Sequence, residues 1–241
     1  MLVAALVLAV LGLAYRALVV APARSARVQT ADVAQSVEPL LLSLGLPLSA
    51  VPGFGPPAEG DPVAGLALDA AAEETLRGAS ERLSGASDAA PSEAAPYALQ
   101  GAVRLALNDE RGARMAWEQV LAHGSKEEAA DARVGIAAVQ IRSGLRSADE
   151  QDRLFALEVA LHTLAPVTRE YAAWPHRLVQ EAVVHLAMGR EEAVDGVLVE
   201  LANVGGPIAG AGLPLLAARR SGEESVSTTL DGLLDRPAAP E

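Results

Sequence analysis

Apolar residues follow three patterns along this chain of 241 residues. Residues 1–20 are almost continuously apolar, and two later stretches place apolar residues at helical spacing between runs rich in Pro and Gly. From Tyr97 onward, helical patterns follow one another with short connections. Apolar residues that recur every three or four positions lie on one face of a helix, so we expect an all-α protein.

The N-terminal stretch is long enough to cross a bilayer. Residues 2–21 are apolar apart from one Tyr and one Arg, and about 20 helical residues cover the roughly 30 Å of the hydrocarbon core. We therefore expect residues 1–23 to be an uncleaved transmembrane anchor in the cell membrane. A cleaved signal peptide is the alternative, because Ala21-Pro22-Ala23 has the A-x-A form of a cleavage site.

Basic residues give the orientation of this span only a weak preference. Arg16, Arg24 and Arg27 lie at its end or after it, and no basic residue precedes it. The positive-inside rule then places the rest of the chain in the cytoplasm. With no N-terminal flank to compare, a periplasmic location stays nearly as well supported.

Residues 24–96 are expected to be a linker that contains two helices. Apolar residues at helical spacing predict the first over about 30–45 and the second over about 63–83. Pro39 lies inside the first pattern and is expected to kink or restart that helix. Loops are predicted for two segments rich in Pro, Gly or Ser, at 46–62 and 84–96.

Residues 97–241 are expected to form a domain of repeated helices. The connections between the helical patterns are only a few residues long, which favours antiparallel neighbours. The predicted helices are 97–107, 110–123, 126–143, 148–165, 175–188, 190–203, 207–219 and 223–235.

Tyr97 to Val120 carries small and aromatic residues at a recognisable spacing. Gly101 follows Tyr97 by four positions, Ala113 follows Gly101 by twelve, and Trp117 follows Ala113 by four. Small residues let two helices approach closely, and a large side chain fills the space beside their crossing. The segment resembles a tetratricopeptide repeat, a helix–turn–helix unit of about 34 residues. It departs from that pattern where the first helix carries Gln and Arg in place of the usual Leu and Tyr.

A second unit begins with Val134 and Gly135, and Ala193 indicates a third. A charged turn over Arg142–Asp152 is expected to displace the second helix of the second unit. The resemblance implies a short α-solenoid of stacked hairpins, with a non-repeating helical bundle as the alternative. The residues that it assigns to the repeat core are Tyr97, Gly101, Ala113, Trp117, Val134 and Gly135.

The resemblance also implies an inner face, which the first helix of each hairpin lines. In this chain that face is small and apolar. It can accept an apolar segment of a partner, or the chain's own helices over 30–45 or 63–83 can cover it. We favour the second, because an open apolar face promotes unwanted association. The residues of this possible partner groove are Ala98, Ala102, Leu105, Ala132, Ile136 and Val139.

Composition and charge narrow the function classes. The formal net charge is −12 and there is no cysteine. An acidic surface repels phosphate backbones, so no nucleic-acid partner is expected. Without cysteine, disulfides, thiolate nucleophiles and Cys-ligated zinc are excluded.

Candidate chemistry is sparse. No two of the four histidines lie three or four residues apart, which excludes a helical metal pair. His185 falls in an apolar stripe and is expected to be a hydrogen-bonded helix residue. The Gly-rich run Gly205–Gly212 has no P-loop Lys and follows a helix, which argues against phosphate binding. No catalytic residue, cofactor, metal or small-molecule substrate is therefore expected.

The resemblance implies a non-enzymatic role as a membrane-anchored scaffold or tether for proteins in a bacterial envelope. The expected partners are proteins that are themselves membrane-associated. The alternative is an accessory, non-catalytic subunit of an integral membrane complex. Ala5 and Ala9 in the anchor have the small-xxx-small spacing that lets such a helix pack against another.

Overall fold

A computed structural model describes residues 20–43, 68–170 and 175–205 of the chain. Within these ranges the protein is all-α, with eight helices packed in adjacent pairs. The predicted helices over 207–219 and 223–235, and residues 1–19 of the predicted anchor, lie outside them. The helices are α1 (Ala21–Ser43), α2 (Ala70–Ala89), α3 (Ala94–Ala106), α4 (Glu110–His123), α5 (Lys126–Arg146), α6 (Glu150–Glu170), α7 (Pro175–Ala187) and α8 (Glu191–Val204).

None of these eight helices is long and apolar enough to cross a membrane. The described residues divide into two compact units. The first unit contains α1 to α4 and the start of α5, up to Ala129, and the second contains the described residues from Ala130 onward.

In the first unit, α1 and α2 form an antiparallel pair. Ala26 near the start of α1 packs against Ala86 and Ala90 at the end of α2. The Gln29 side chain donates to the carbonyl of Arg82 at 3.1 Å. Both helices also pack against α3. The helices predicted in the linker are therefore part of a packed unit that includes α3 and α4.

α1 begins at Ala21, before the predicted start near 30, and α2 spans Ala70–Ala89 instead of about 63–83. α1 continues through Pro39; this proline and Gln35, whose carbonyl loses its donor, are both exposed, so water can bind that carbonyl. α2 begins at Ala70 rather than near 63, because the Asp69 carboxylate caps it by accepting from the Ala72 amide at 2.7 Å. It then runs to Ala89, through half of the predicted linker, since Leu83 and Ala86 continue its buried stripe.

α3 and α4 form the tightest hairpin of the first unit. Asn108 turns the chain between them in the left-handed region, at a φ of 62°, a conformation that Asn tolerates better than most residues. Asp109 then caps α4, its carboxylate accepting from the Gly112 amide at 2.9 Å. The predicted bounds 97–107 and 110–123 are close to the observed ones.

Asp109→Ala is expected to lower the free energy of unfolding of the first unit by about 1 kcal/mol, because the first-turn amide of α4 loses its acceptor. Chemical denaturation followed by circular dichroism measures the change. Asp109→Asn keeps a capping oxygen and should lose much less. Equal losses for the two variants would contradict a capping role.

A capping box starts α5. The Ser125 hydroxyl accepts from the Glu128 amide at 3.2 Å, and the Glu128 carboxylate accepts from the Ser125 amide at 2.7 Å. α5 then runs to Arg146, beyond the predicted end at 143.

The turn predicted over Arg142–Asp152 is much shorter in the structure. Arg142 is buried within α5, and α6 already begins at Glu150. The end of α5 lies close to α6: a Cβ added at Gly144 would be 3.1 Å from the Ala156 Cβ. The glycine thus permits the end of α5 to approach α6 closely.

α7 is the central helix of the second unit. Residues 177–184 are all buried, and α7 packs against both α6 and α8. Gln180 of α7 also donates to the carbonyl of Val134 in α5 at 3.0 Å. Gly189, at a φ of 67°, turns the chain from α7 into α8.

Candidate functional site

Gly101 and Trp117 meet at the crossing of α3 and α4. A Cβ added at Gly101 would lie 2.5 Å from Trp117 Cε2 and 2.7 Å from Cδ1, so the indole occupies the space that a side chain would need. Trp117 is buried. A glycine in one helix is thus matched to an aromatic ring in the next, which is the packing that their spacing predicts.

The other residues assigned to the repeat core lie in the interior, with one exception. Ala113, Val134 and Gly135 are buried, whereas Tyr97 is only half-buried. Tyr97 therefore contributes less apolar burial than the first aromatic position of the resembled repeat is expected to supply.

The possible partner groove is only partly accessible. Ala98 and Ala102 are half-buried. The other four residues, Leu105, Ala132, Ile136 and Val139, are buried. Of the six, only Ala98 and Ala102 therefore have surface that a partner could contact in this conformation. α1 and α2 pack against α3, the helix that carries Ala98 and Ala102.

The second unit contains a buried ion pair that is not among the candidate residues predicted from the sequence. Arg177 is only 1% exposed, and its Nη1 lies 2.7 Å from Glu181 Oε2, one turn along α7. The other carboxylate oxygen of Glu181 accepts from the Thr168 hydroxyl of α6 at 2.5 Å. Arg177 Nη2 also reaches Glu200 of α8 at 3.2 Å. Side chains from three helices thus hold one buried charge pair.

The arrangement of this cluster favours a structural role over a catalytic one. Both oxygens of the Glu181 carboxylate are occupied by protein donors, so neither is directed at a substrate. A sequence signal for it did exist. In the third unit that the resemblance implies, Gln180 and Glu181 stand where the repeat pattern has a Leu followed by a Gly. Polar residues at such a core position indicate a buried polar network.

The histidines separate into exposed and partly buried pairs. His123 and His162 are exposed on α4 and α6. Burial lowers the pKa of His176. Burial also lowers the pKa of His185, with nearby Arg190 acting in the same direction and Glu181 opposing both. The prediction that His185 is hydrogen-bonded fails for its Nδ1, which is buried and has no hydrogen-bond partner among the residues that the structure describes.

The partly buried histidines make the stability of the second unit pH-dependent. Both take up protons less readily in the folded chain than in the unfolded chain, whose histidines titrate near pH 6.5. The contribution of these two neutral histidines to stability is therefore complete above about pH 6.5. It is lost as the pH falls through their pKa values in the folded chain.

His176→Gln is expected to make the melting temperature less sensitive to pH between about 7 and 5, because one of these groups no longer titrates. Thermal melts at several pH values measure the effect. His162→Gln, an exposed histidine in the same unit, is the matched control. A variant as pH-sensitive as the parent would contradict the role of His176.

Among residues 20–43, 68–170 and 175–205, no three His, Asp or Glu side chains are grouped so that they could hold a metal ion. No family model, curated protein or solved structure matches the chain.

Proposed function

We propose that this protein is a membrane-anchored scaffold or tether that binds other proteins through a short, tetratricopeptide-like α-solenoid. The observation that carries the proposal is the α3–α4 hairpin. Gly101 fits against the Trp117 indole there, as the repeat pattern requires. Modules of this kind bury their apolar surface by stacking hairpins, and they present elongated faces suited to protein recognition.

The packing of successive helices in pairs supports this proposal. α1 pairs with α2, α3 with α4, and α7 with α8. The partner surface must be formed by side chains that face solvent, because four of the six groove residues are buried. Those faces carry many of the charged residues, which suits a specific and reversible contact between proteins.

The apolar residues 2–21 support the membrane part of the proposal, since their length and composition match a single span. Limited proteolysis of intact spheroplasts tests the orientation. A cytoplasmic module is protected until the membrane is broken, and a periplasmic module is cut from outside. A chain that is released by salt wash or stays in the soluble fraction would refute the anchor.

The scaffold role is tested by affinity purification of the full-length chain under conditions that keep the membrane association intact. Co-purification of a defined set of proteins is expected. A parallel sample, in which residues 2–21 are replaced by an unrelated span, separates the two candidate functions. A tether keeps its partners after the exchange. An accessory subunit, which uses the Ala5–Ala9 face of its anchor, loses them. No specific partner in either sample would overturn both.

A further inference from the structure

The outer face of α2 in the first unit has a symmetric arrangement of charges around a glycine. Gly78 lies near the middle of this face and is exposed. A Cβ added there would have no atom within 4 Å. A shallow groove of about 430 Å³ opens along the same face, with buried Ala79 in its lining and Ser36 of α1 at its side. Another helix could therefore approach the backbone of α2 closely at Gly78.

Charges flank this point on both sides. Glu74 lies four residues before Gly78 and Arg82 lies four residues after it, and both line the groove. At a rise of 1.5 Å per residue, each charge is about 6 Å along the helix from the glycine. Neither side chain forms an ion pair within the part of the chain that the structure describes. Gly78 lies between them, four residues from each, and has no side chain that could pair with either.

We propose that α2 is a homodimer interface, in which two copies of the chain cross antiparallel at Gly78. A two-fold axis through Gly78 brings each residue opposite the one equally far on its other side. Glu74 of each copy then meets Arg82 of the other, which gives two identical ion pairs from one contact. An interface of this isologous kind is the commonest in homo-oligomers.

Small residues extend the fit beyond the crossing. Ala71 and Gly85 lie seven residues before and after Gly78, and both are exposed. The same axis places Ala71 of one copy opposite Gly85 of the other. The two backbones can therefore stay close over about four turns of helix, as in other close-packed helix pairs.

The charges also select the direction of pairing. In a parallel arrangement at the same crossing, Glu74 would face Glu74 and Arg82 would face Arg82. Like charges in such positions repel, so the parallel arrangement is disfavoured. A chemically unrelated helix would match this surface only if it carried the opposite charges at the same separation, and a second copy of α2 carries them by symmetry.

The surface is one helix face, smaller than a standard interface of about 800 Å² per partner. We therefore expect a weak dimer, with a dissociation constant of micromolar order or higher. Because the ion pairs are exposed to solvent, dimerisation should weaken as the salt concentration rises.

Charge reversal tests the proposal in the full-length protein, kept in a mild detergent and studied by analytical ultracentrifugation. Glu74→Arg alone places two pairs of like charges across the axis and should weaken the dimer about tenfold. Arg82→Glu alone should do the same. The double variant, Glu74→Arg with Arg82→Glu, restores both pairs and should recover the parental affinity within about threefold. Arg77→Glu breaks only the Glu73–Arg77 pair within α2 and is the control.

Cross-linking gives an independent test, because the parent chain has no cysteine. In Gly78→Cys the two thiols face each other across the axis, and mild oxidation should produce a disulfide-linked dimer in high yield. Gly196→Cys, at an exposed glycine of α8 with equally open space, should give little. Circular dichroism checks that each variant keeps the parental helix content.

Three results would overturn the proposal: a chain that is monomeric at all accessible concentrations, a double charge reversal that fails to restore association, or equal cross-linking at positions 78 and 196. The helix of a different protein as the true occupant would appear as the first of these. None of the three outcomes bears on whether the chain is a membrane-anchored scaffold.

Discussion

Gly101→Leu is expected to lower the free energy of unfolding of the first unit by about 3 kcal/mol, because an added side chain has nowhere to go. Even the first carbon of that side chain would lie 2.5 Å from Trp117 Cε2. The indole is buried and cannot swing into solvent without opening the hairpin. Either α3 and α4 separate or the ring leaves its pocket, and both lose packing in the core of the unit.

Denaturant unfolding followed by circular dichroism measures this loss, and near-ultraviolet spectra report whether the Trp environment changes. Gly196→Leu is the matched control. It introduces the same side chain at a helical glycine that is exposed and has no atom within 4 Å of an added Cβ. There, better helix propensity should stabilise the chain by up to about 1 kcal/mol. Two variants with the same sign of effect would refute the Gly101–Trp117 contact.

Glu181→Ala is expected to destabilise the second unit by about 3–5 kcal/mol, because Arg177 keeps its charge inside the protein and loses a carboxylate partner on its own helix. Arg177 is only 1% exposed, and its ion pair with Glu200 is longer, at 3.2 Å. The Thr168 hydroxyl loses its carboxylate acceptor as well. An exposed pair would lose far less, since water replaces the missing partner.

Two further variants isolate the cause. Glu200→Ala removes a carboxylate that is 60% exposed and should cost no more than about 1 kcal/mol. Arg177→Met combined with Glu181→Leu removes both charges and fills similar volume, so it should recover most of the stability lost in Glu181→Ala. Equal losses in Glu181→Ala and Glu200→Ala would show that burial of the pair has no energetic weight.

Helix positions and the central hairpin were predictable from sequence because they depend on local patterns. Spacing of apolar residues located α3, α4, α7 and α8 to within a few residues. The contact between Gly101 and Trp117 followed from a glycine and an aromatic residue at the interval of a known repeat. Both predictions rest on residues that are close together in the sequence.

Other features depend on side-chain contacts that spacing does not reveal. α2 extends to Ala89 because a Ser- and Ala-rich segment, which reads as a linker, continues a stripe that packs against α1. Pro39 does not end α1 because it faces solvent. The Arg177–Glu181 pair has the i,i+4 spacing of any helical ion pair, and the structure alone shows that its arginine is buried. In all three examples, the neighbouring helices or the solvent determine the outcome, and local sequence does not specify them.

The uninterrupted burial of α7 has a consequence for how the sequence can vary. A helix with one solvent face tolerates substitution at intervals of three or four residues, and α2, with its alternation of buried and exposed positions, should show that rhythm in a saturation scan. Residues 177–184 are all buried, so every position in this stretch should tolerate substitution poorly. Substitutions that alter binding in the second unit without loss of the fold therefore have to arise on the helices next to α7. The sequence of α7 itself should vary little.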